Sequence, residues 1–284
     1  MADAVDLDAY CARIGFRGER TATLATLRAI VLAHVQAIPF ENLDVLLGRG
    51  IDLAPAAIER KLVHARRGGY CFEQNALLLA VLEALGFAVT PLSARVRLQR
   101  PREFTPPRTH MFLLVTIAGE RWLADVGVGG LSPTAPLQLD VETPQGTPHE
   151  PRRLIRHGAW ASGDRRSPDA RIFHQVQLAG EWQDVCEFTL ETMPPIDREL
   201  ANWFTSAHPQ SHFKNRLMAA RATAAGRVTL LNRELTHRAA DGTAHTELVR
   251  DEGELLAVLA REFGLVFTAG TRFPCPWIDW SHGA

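Results

Sequence analysis

The chain has 284 residues, of which 46% are apolar and 22% charged, with a formal net charge of -1. That is enough chain to bury a large core in about two domains with a further small element. Near-neutral charge gives no electrostatic footprint for nucleic acid or an anionic membrane, and no apolar run approaches the ~20 residues that span a bilayer. The acidic start MADAVDLDAY lacks the basic and apolar regions of a signal peptide. Four cysteines (Cys11, Cys71, Cys186, Cys275) stand far apart with no CxxC pair, so neither a zinc site nor a disulfide framework is expected. A cytoplasmic protein without a metal fits these facts.

Residues 1–86 read as helical. Leu24, Leu27, Ile30, Val31, Val35 and Ile38 recur at three- and four-residue steps and mark one buried face, which Pro39 ends. A second helix is predicted over Pro55–Ala65, opened by its proline, and a third from Cys71 through Leu85, closed by Gly86. From Phe87 the pattern turns to short β-branched runs: 88–98, 110–117, 121–128, 173–178 and 184–190. Strands in succession without helices between them predict an antiparallel sheet or small barrel. The intervening stretch 143–169, rich in Pro, Gly and Arg, is expected to form loops. After Pro194-Pro195 a short helix is expected at 197–203, a hairpin of 228–231 and 235–238 across Asn232, and an amphipathic helix over Glu252–Phe263.

The densest chemical signal is Arg67-Gly-Gly-Tyr-Cys71-Phe-Glu-Gln-Asn75. Two glycines permit a tight turn directly before a helix. Cys71 then falls in the first helical turn, where unpaired N–H groups and the positive dipole end favour a thiolate, the form that attacks carbonyls; Arg67 adds positive charge. The plainer reading is a small buried apolar residue, which is what Cys11, Cys186 and Cys275 are expected to be. A thiol nucleophile needs a base, and the base an orienting group. Among eleven histidines, His110 stands at the start of the apolar strand THMFLLV, and Asp125 interrupts WLADVGV. A buried carboxylate needs a partner, so the two would satisfy one another; alternatively each marks a strand end facing solvent. A hairpin turning at 118–120 leaves them several positions out of register, which spacing does not resolve.

Gly127-Val-Gly-Gly130 could offer backbone N–H groups to a phosphate or oxyanion, or be a strand-end bulge. In Ile38-Pro-Phe-Glu-Asn-Leu-Asp44, between the first two helices, Glu41 and Asn42 could cap backbone or pair with Arg67, or form an ordinary polar turn. Asn202-Trp-Phe-Thr-Ser-Ala-His-Pro209 puts two aromatics in an expected loop, as a hydrophobic clamp or as core plugs.

Together IPFENLD, RGGYCFEQN, THMFLLV, LADVGVGG and NWFTSAHP, in that order, resemble the arylamine N-acetyltransferase family. The resemblance runs from near the start to about Phe213. It implies an α+β multi-domain fold: a helical bundle (1–86) carrying the nucleophile, a β-barrel (87–195) carrying His and Asp, and an α/β lid (196–284). It implies a papain-like Cys-His-Asp triad of Cys71, His110 and Asp125, and acetyl-CoA as co-substrate. Gly127, Gly129 and Gly130, with Thr109 and Phe204, are expected at the CoA site. Phe40, Tyr70, Val96, Thr109 and Phe204 are expected to line the acceptor cleft, and Arg67, Glu41, Asn42 and Asn75 to brace the nucleophile. The partners implied are CoA and an arylamine, arylhydrazine or N-hydroxyarylamine, in a role such as xenobiotic metabolism. Oligomeric state stays open, a homodimer included. The same triad could instead serve a thiol hydrolase or an amide synthase, and a silent CoA-binding protein is the non-enzymatic reading.

Overall fold

The computed structural model describes residues 5–98, 100–158 and 170–280. Helix α1 (Leu7–Ile14), which periodicity did not single out, starts at Asp6, whose side chain accepts the Ala9 N–H, and ends at Gly15 with φ 70°. Thr23 caps α2 (Leu24–Ala37) in the same way. After Pro39 the chain makes a two-residue strand β1 (Phe40–Glu41) and a short α3 (Leu43–Leu46), where the sequence indicated a connection without regular structure. Helix α4 (Pro55–Glu59) continues as a π turn over Arg60–His64, and α5 spans Cys71–Ala84.

Leu27, Ile30 and Val31 of α2 pack against Leu77, Leu78, Val81 and Leu82 of α5 and against Tyr10 of α1. Strand β3 (His110–Ile117) lies on this cluster. Its alternate residues Met111, Leu113 and Val115 join the helices, while Phe112 and Leu114 face the other way. Burying an aliphatic side chain is worth about 1.5–3 kcal/mol, so this seam fixes α5 firmly on the sheet.

Seven strands form that sheet, in the order β5-β4-β3-β2-β8-β7-β6, with every neighbouring pair antiparallel. They are β2 (Ala88–Val96), β3, β4 (Glu120–Ala124), β5 (Leu137–Gln138), β6 (Arg152–His157), β7 (Arg171–Leu178) and β8 (Glu181–Thr192). Gln145 brings the two edges together. Its backbone exchanges both hydrogen bonds with Arg152, and its side chain bonds the N–H and C=O of Gln138. The sheet is thereby nearly closed around Leu92, Phe112, Leu123, Leu154, Ile172 and Phe188.

Strand β6 corrects the expectation of loops over 143–169: four of its six residues are arginine or histidine, which hid the alternation that buries Arg152 and Leu154. The later part of that stretch, 159–169, lies outside the described residues. The second sheet, β1-β9-β10-β11-β12, comprises β9 (Met218–Thr223), β10 (Gly226–Leu231), β11 (Glu234–Ala239) and β12 (Ala244–Leu248) beside β1. The expected hairpin across Asn232 is there, flanked by two strands the sequence reading omitted. Helices α6 (Pro195–Ala207) and α7 (His212–Asn215) precede β9, and α8 (Glu252–Phe263) packs Leu255, Val258, Leu259 and Phe263 in one cluster with Leu217, Leu230 and Leu235. Because β1 pairs with β9 and Leu43 and Leu46 share that cluster, a segment from near residue 40 is structurally part of the C-terminal sheet.

Candidate active site

Cys71 opens α5, as the glycine pair before it suggested. Those glycines are there for close approach. A Cβ on Gly68 would stand 2.2 Å from the Pro39 carbonyl oxygen, and one on Gly69 would stand 2.6 Å from a Glu73 carboxylate oxygen. Glu73 folds back to accept the Tyr70 N–H at 3.1 Å and takes an ion pair from Lys61 at 2.6 Å, fixing the entry of the helix. The Cys71 thiol, 3% exposed as a residue, lies 3.6 Å from the Thr109 carbonyl, which places it against the first residues of β3.

The next residue, His110, is buried, stacks on Phe112 with ring centroids 6.1 Å apart, and bonds Asp125 from Nε2 to Oδ2 at 2.7 Å. With Nε2 engaged, Nδ1 is the nitrogen left for the sulfur. Burial disfavours the charged ring, but the Asp125 carboxylate and its hydrogen bond outweigh that, and a hydrogen bond to Cys71 adds, so the His110 pKa is pushed up to about 10. Burial likewise works against the Asp125 anion. The His110 charge and bond, the Gly127 N–H and the Asn75 amide together hold its carboxyl below the usual value.

The register problem has a specific solution. Leu113 pairs with Ala124, so one more step of ladder would set Asp125 opposite Phe112, two residues from His110. Instead β4 ends at Ala124, and Asp125 leaves the strand. Its Oδ1 accepts from the Gly127 N–H at 2.9 Å and from Asn75 Nδ2 at 3.0 Å. Asn75 also donates to the Met111 carbonyl and accepts from the Val126 N–H, so one amide on α5 joins both strand ends.

Arg67 does not direct an open charge at the sulfur. Its guanidinium bonds Glu41 at 2.7 Å and Asp44 at 3.2 Å, and Lys61 bridges Asp44 and Glu73. This ion-pair network ties β1 and α3 to the loop before Cys71. Lys61, Asp44 and Glu73 were not singled out from the sequence; the Glu three residues after Tyr70 was the available signal. Asn42 is directed away from the nucleophile, bonding the carbonyls of Phe213 and Arg216 and the N–H of Met218.

The glycines after Asp125 are close-packed. A Cβ on Gly127 would lie 2.7 Å from Cys71 Cα, one on Gly129 (φ +81°) 3.4 Å from the Phe40 ring, and one on Gly130 2.7 Å from a Thr229 methyl. Tyr70 is buried, its ring edge-on to Phe72 and Phe213 and its hydroxyl bonded to Asn202. NWFTSAHP is no loop. Asn202 through Ala207 complete α6 (Pro195–Ala207), with Phe204 stacked on His208 at 4.6 Å and Trp203 exposed. Val96 is half-buried beside Val128, Val176 and Val185. Among the described residues no cluster of His, Cys, Asp or Glu could hold a metal ion, and no helix is long and apolar enough to cross a membrane.

A thiol at a helix N-terminus beside a carboxylate-oriented imidazole is equipped for acyl transfer. Residues 23–272 match the family model described as N-acetyltransferase. The arylamine N-acetyltransferase of Mycolicibacterium smegmatis is 42% identical over 266 residues, covering 92% of each chain. That of Escherichia coli is 41% identical over 260 residues, covering 91% of this chain and 88% of its own. In three dimensions the chain matches Mycobacterium marinum arylamine N-acetyltransferase in complex with CoA, with a TM-score of 0.84 and 40% identity over 91% of this chain and 92% of the other.

Proposed function

The chain belongs to the arylamine N-acetyltransferase family, and from that premise we propose that it moves an acetyl group from acetyl-CoA to an arylamine, arylhydrazine or N-hydroxyarylamine through Cys71. The observation that carries the reading is that the Cys71 sulfur, at the start of α5, lies 3.6 Å from the Thr109 carbonyl and hydrogen-bonds the adjacent His110 ring, which Asp125 holds at 2.7 Å.

In the first half-reaction the Cys71 sulfur, its proton already held by His110, attacks the thioester carbonyl carbon. A new C–S bond forms, the bond to the CoA sulfur breaks, and His110 returns a proton to the departing thiolate. In the second, the acceptor nitrogen attacks the acetyl-Cys71 carbonyl while His110 takes its proton, and the sulfur leaves. Asp125 fixes the tautomer that presents Nδ1 to Cys71 and stabilises the imidazolium. Backbone N–H groups at the start of α5, that of Cys71 included, are the proposed oxyanion donors, each worth about 3 kcal/mol.

The proposed division is bundle (1–86), barrel (87–195) and lid (196–284), with β1 contributed to the lid's sheet from the first part. Water must be kept from the thioester, and α6 with Phe204 is proposed to help close the cleft. Phe40, Tyr70, Val96 and Thr109 are proposed to line the acceptor side. CoA is proposed to pass along Gly127–Gly130, the segment whose backbone abuts both Cys71 and Phe40. A cytoplasmic location is part of the proposal, in keeping with four unpaired thiols.

The test is CoA release measured against a panel of arylamines and hydrazines, with acetyl-CoA as donor. Acceptor-dependent CoA release with formation of the N-acetyl product is expected. Acceptor turnover without any need for acetyl-CoA would put the chain among thiol hydrolases instead.

A further inference from the structure

Three fully buried polar side chains from three helices form a line that ends on the backbone just before Cys71. Tyr10 Oη lies 2.8 Å from His34 Nδ1, and His34 Nε2 lies 2.6 Å from Gln74 Oε1. Gln74 Nε2 then bonds the Pro39 carbonyl at 2.8 Å and the Gly69 carbonyl at 3.2 Å. All three side chains are inaccessible to solvent.

The protons in this line have one arrangement. Two carbonyls only accept, so the NH2 end of Gln74 faces them and Oε1 faces His34. His34 Nε2 therefore carries a hydrogen. Burial lowers the His34 pKa to about 4, against the pull of the Gln74 bond and with help from the Arg13 charge, so the ring is neutral and Nδ1 accepts from the Tyr10 hydroxyl.

The two carbonyls at the end of the line belong to the site. Pro39 C=O also accepts the Gly69 N–H and Gly69 C=O the Glu41 N–H, a bridge that sets Phe40 alongside the GGYC loop. If the Gln74 amide turned over, its oxygen would face two carbonyl oxygens and the bridge would loosen, shifting Phe40 and the helix start together. The hydrogen on His34 Nε2 holds the Oε1 end of the amide, as the two carbonyls hold its NH2 end, and together they prevent that turn.

We infer that His34 is a positioning residue for acyl transfer: by fixing the orientation of Gln74 it holds the Phe40–Gly69 backbone bridge, and with it the start of α5, in the geometry the reaction needs. This rests on the proposed function, and wild-type turnover is the control that separates the two. A wild type without acetyl transfer defeats the function, whereas variants that do not differ from an active wild type defeat the inference alone.

The experiment compares His34→Leu, His34→Gln and Gln74→Glu with wild type in steady-state acetyl transfer, alongside thermal melts. His34→Leu removes the donor and should lower kcat about tenfold, with the acetyl-CoA KM within about twofold. His34→Gln presents an amide N–H near the place of Nε2 and should return kcat to within about threefold of wild type. In Gln74→Glu a carboxylate faces the carbonyls until it is protonated, so its kcat relative to wild type should rise as pH falls from about 8 to 6. This isosteric variant decides the matter if His34→Leu fails to fold. Wild-type kcat in His34→Leu, equal loss in His34→Gln and His34→Leu, or a pH-independent ratio for Gln74→Glu would overturn the inference.

Discussion

Asn75 Nδ2 donates to Asp125 Oδ1 at 3.0 Å across fifty residues of sequence. The same side chain bonds the Met111 carbonyl and the Val126 N–H, so the helix that carries the thiol also sets the carboxylate. Mutual position in this site is therefore a property of the α5–sheet junction, and changes there should affect chemistry and stability together.

Asp125→Asn keeps the shape but removes the charge that holds His110 protonated. We expect kcat to fall by about a thousandfold or more. The pH dependence of stability should change too. His110 sits at about 10 in the folded chain and at about 6.5 unfolded, so its contribution is complete below about 6.5 and lost as pH rises toward 10. Melting temperatures of wild type should decline across that window more steeply than those of Asp125→Asn; parallel curves would count against the pairing.

Gly127→Ala would place a methyl group 2.7 Å from Cys71 Cα and equally close to Asn75 Nδ2. The expected cost is about 2 kcal/mol in urea unfolding, with a clear loss of activity. Gly146→Ala, with open space around its Cβ position, should stay within about 0.5 kcal/mol of wild type.

Arg67→Met strands the Glu41 carboxylate, whose side chain has no exposed surface. Leaving a buried charge unpaired should cost about 3 kcal/mol or more, read by chemical denaturation. Adding Glu41→Gln should restore a good part of that stability. A double variant no more stable than Arg67→Met would mean the pair is not what holds β1 to the loop.

Much of this arrangement was legible in the sequence for reasons that are local. The 3.6-residue repeat marks α2, the Gly-Gly turn places Cys71 at a helix start, and β3 is bounded as its apolar run implies. What escaped depended on contacts between distant residues. His110 and Asp125 look mismatched until Asn75 and Gly127 draw Asp125 out of β4. Strand β6 was obscured by arginines, one of which, Arg152, is fully buried and bonded to His174 at 3.0 Å. NWFTSAHP read as loop because Asn, Thr and Ser favour turns, yet Thr205 and Ser206 bond back to the carbonyls of Ala201 and Asn202 and the helix continues to Ala207. His34 was one of eleven histidines, and its value lies in Tyr10 and Gln74, which no spacing connects to it.

The most direct test of the central claim is mass spectrometry of the protein after brief exposure to acetyl-CoA without acceptor. The account predicts a single acetyl adduct on the peptide bearing Cys71, which disappears when an arylamine is added and never forms in Cys71→Ala. Continued acetyl transfer by Cys71→Ala, or an adduct confined to another residue, would contradict it.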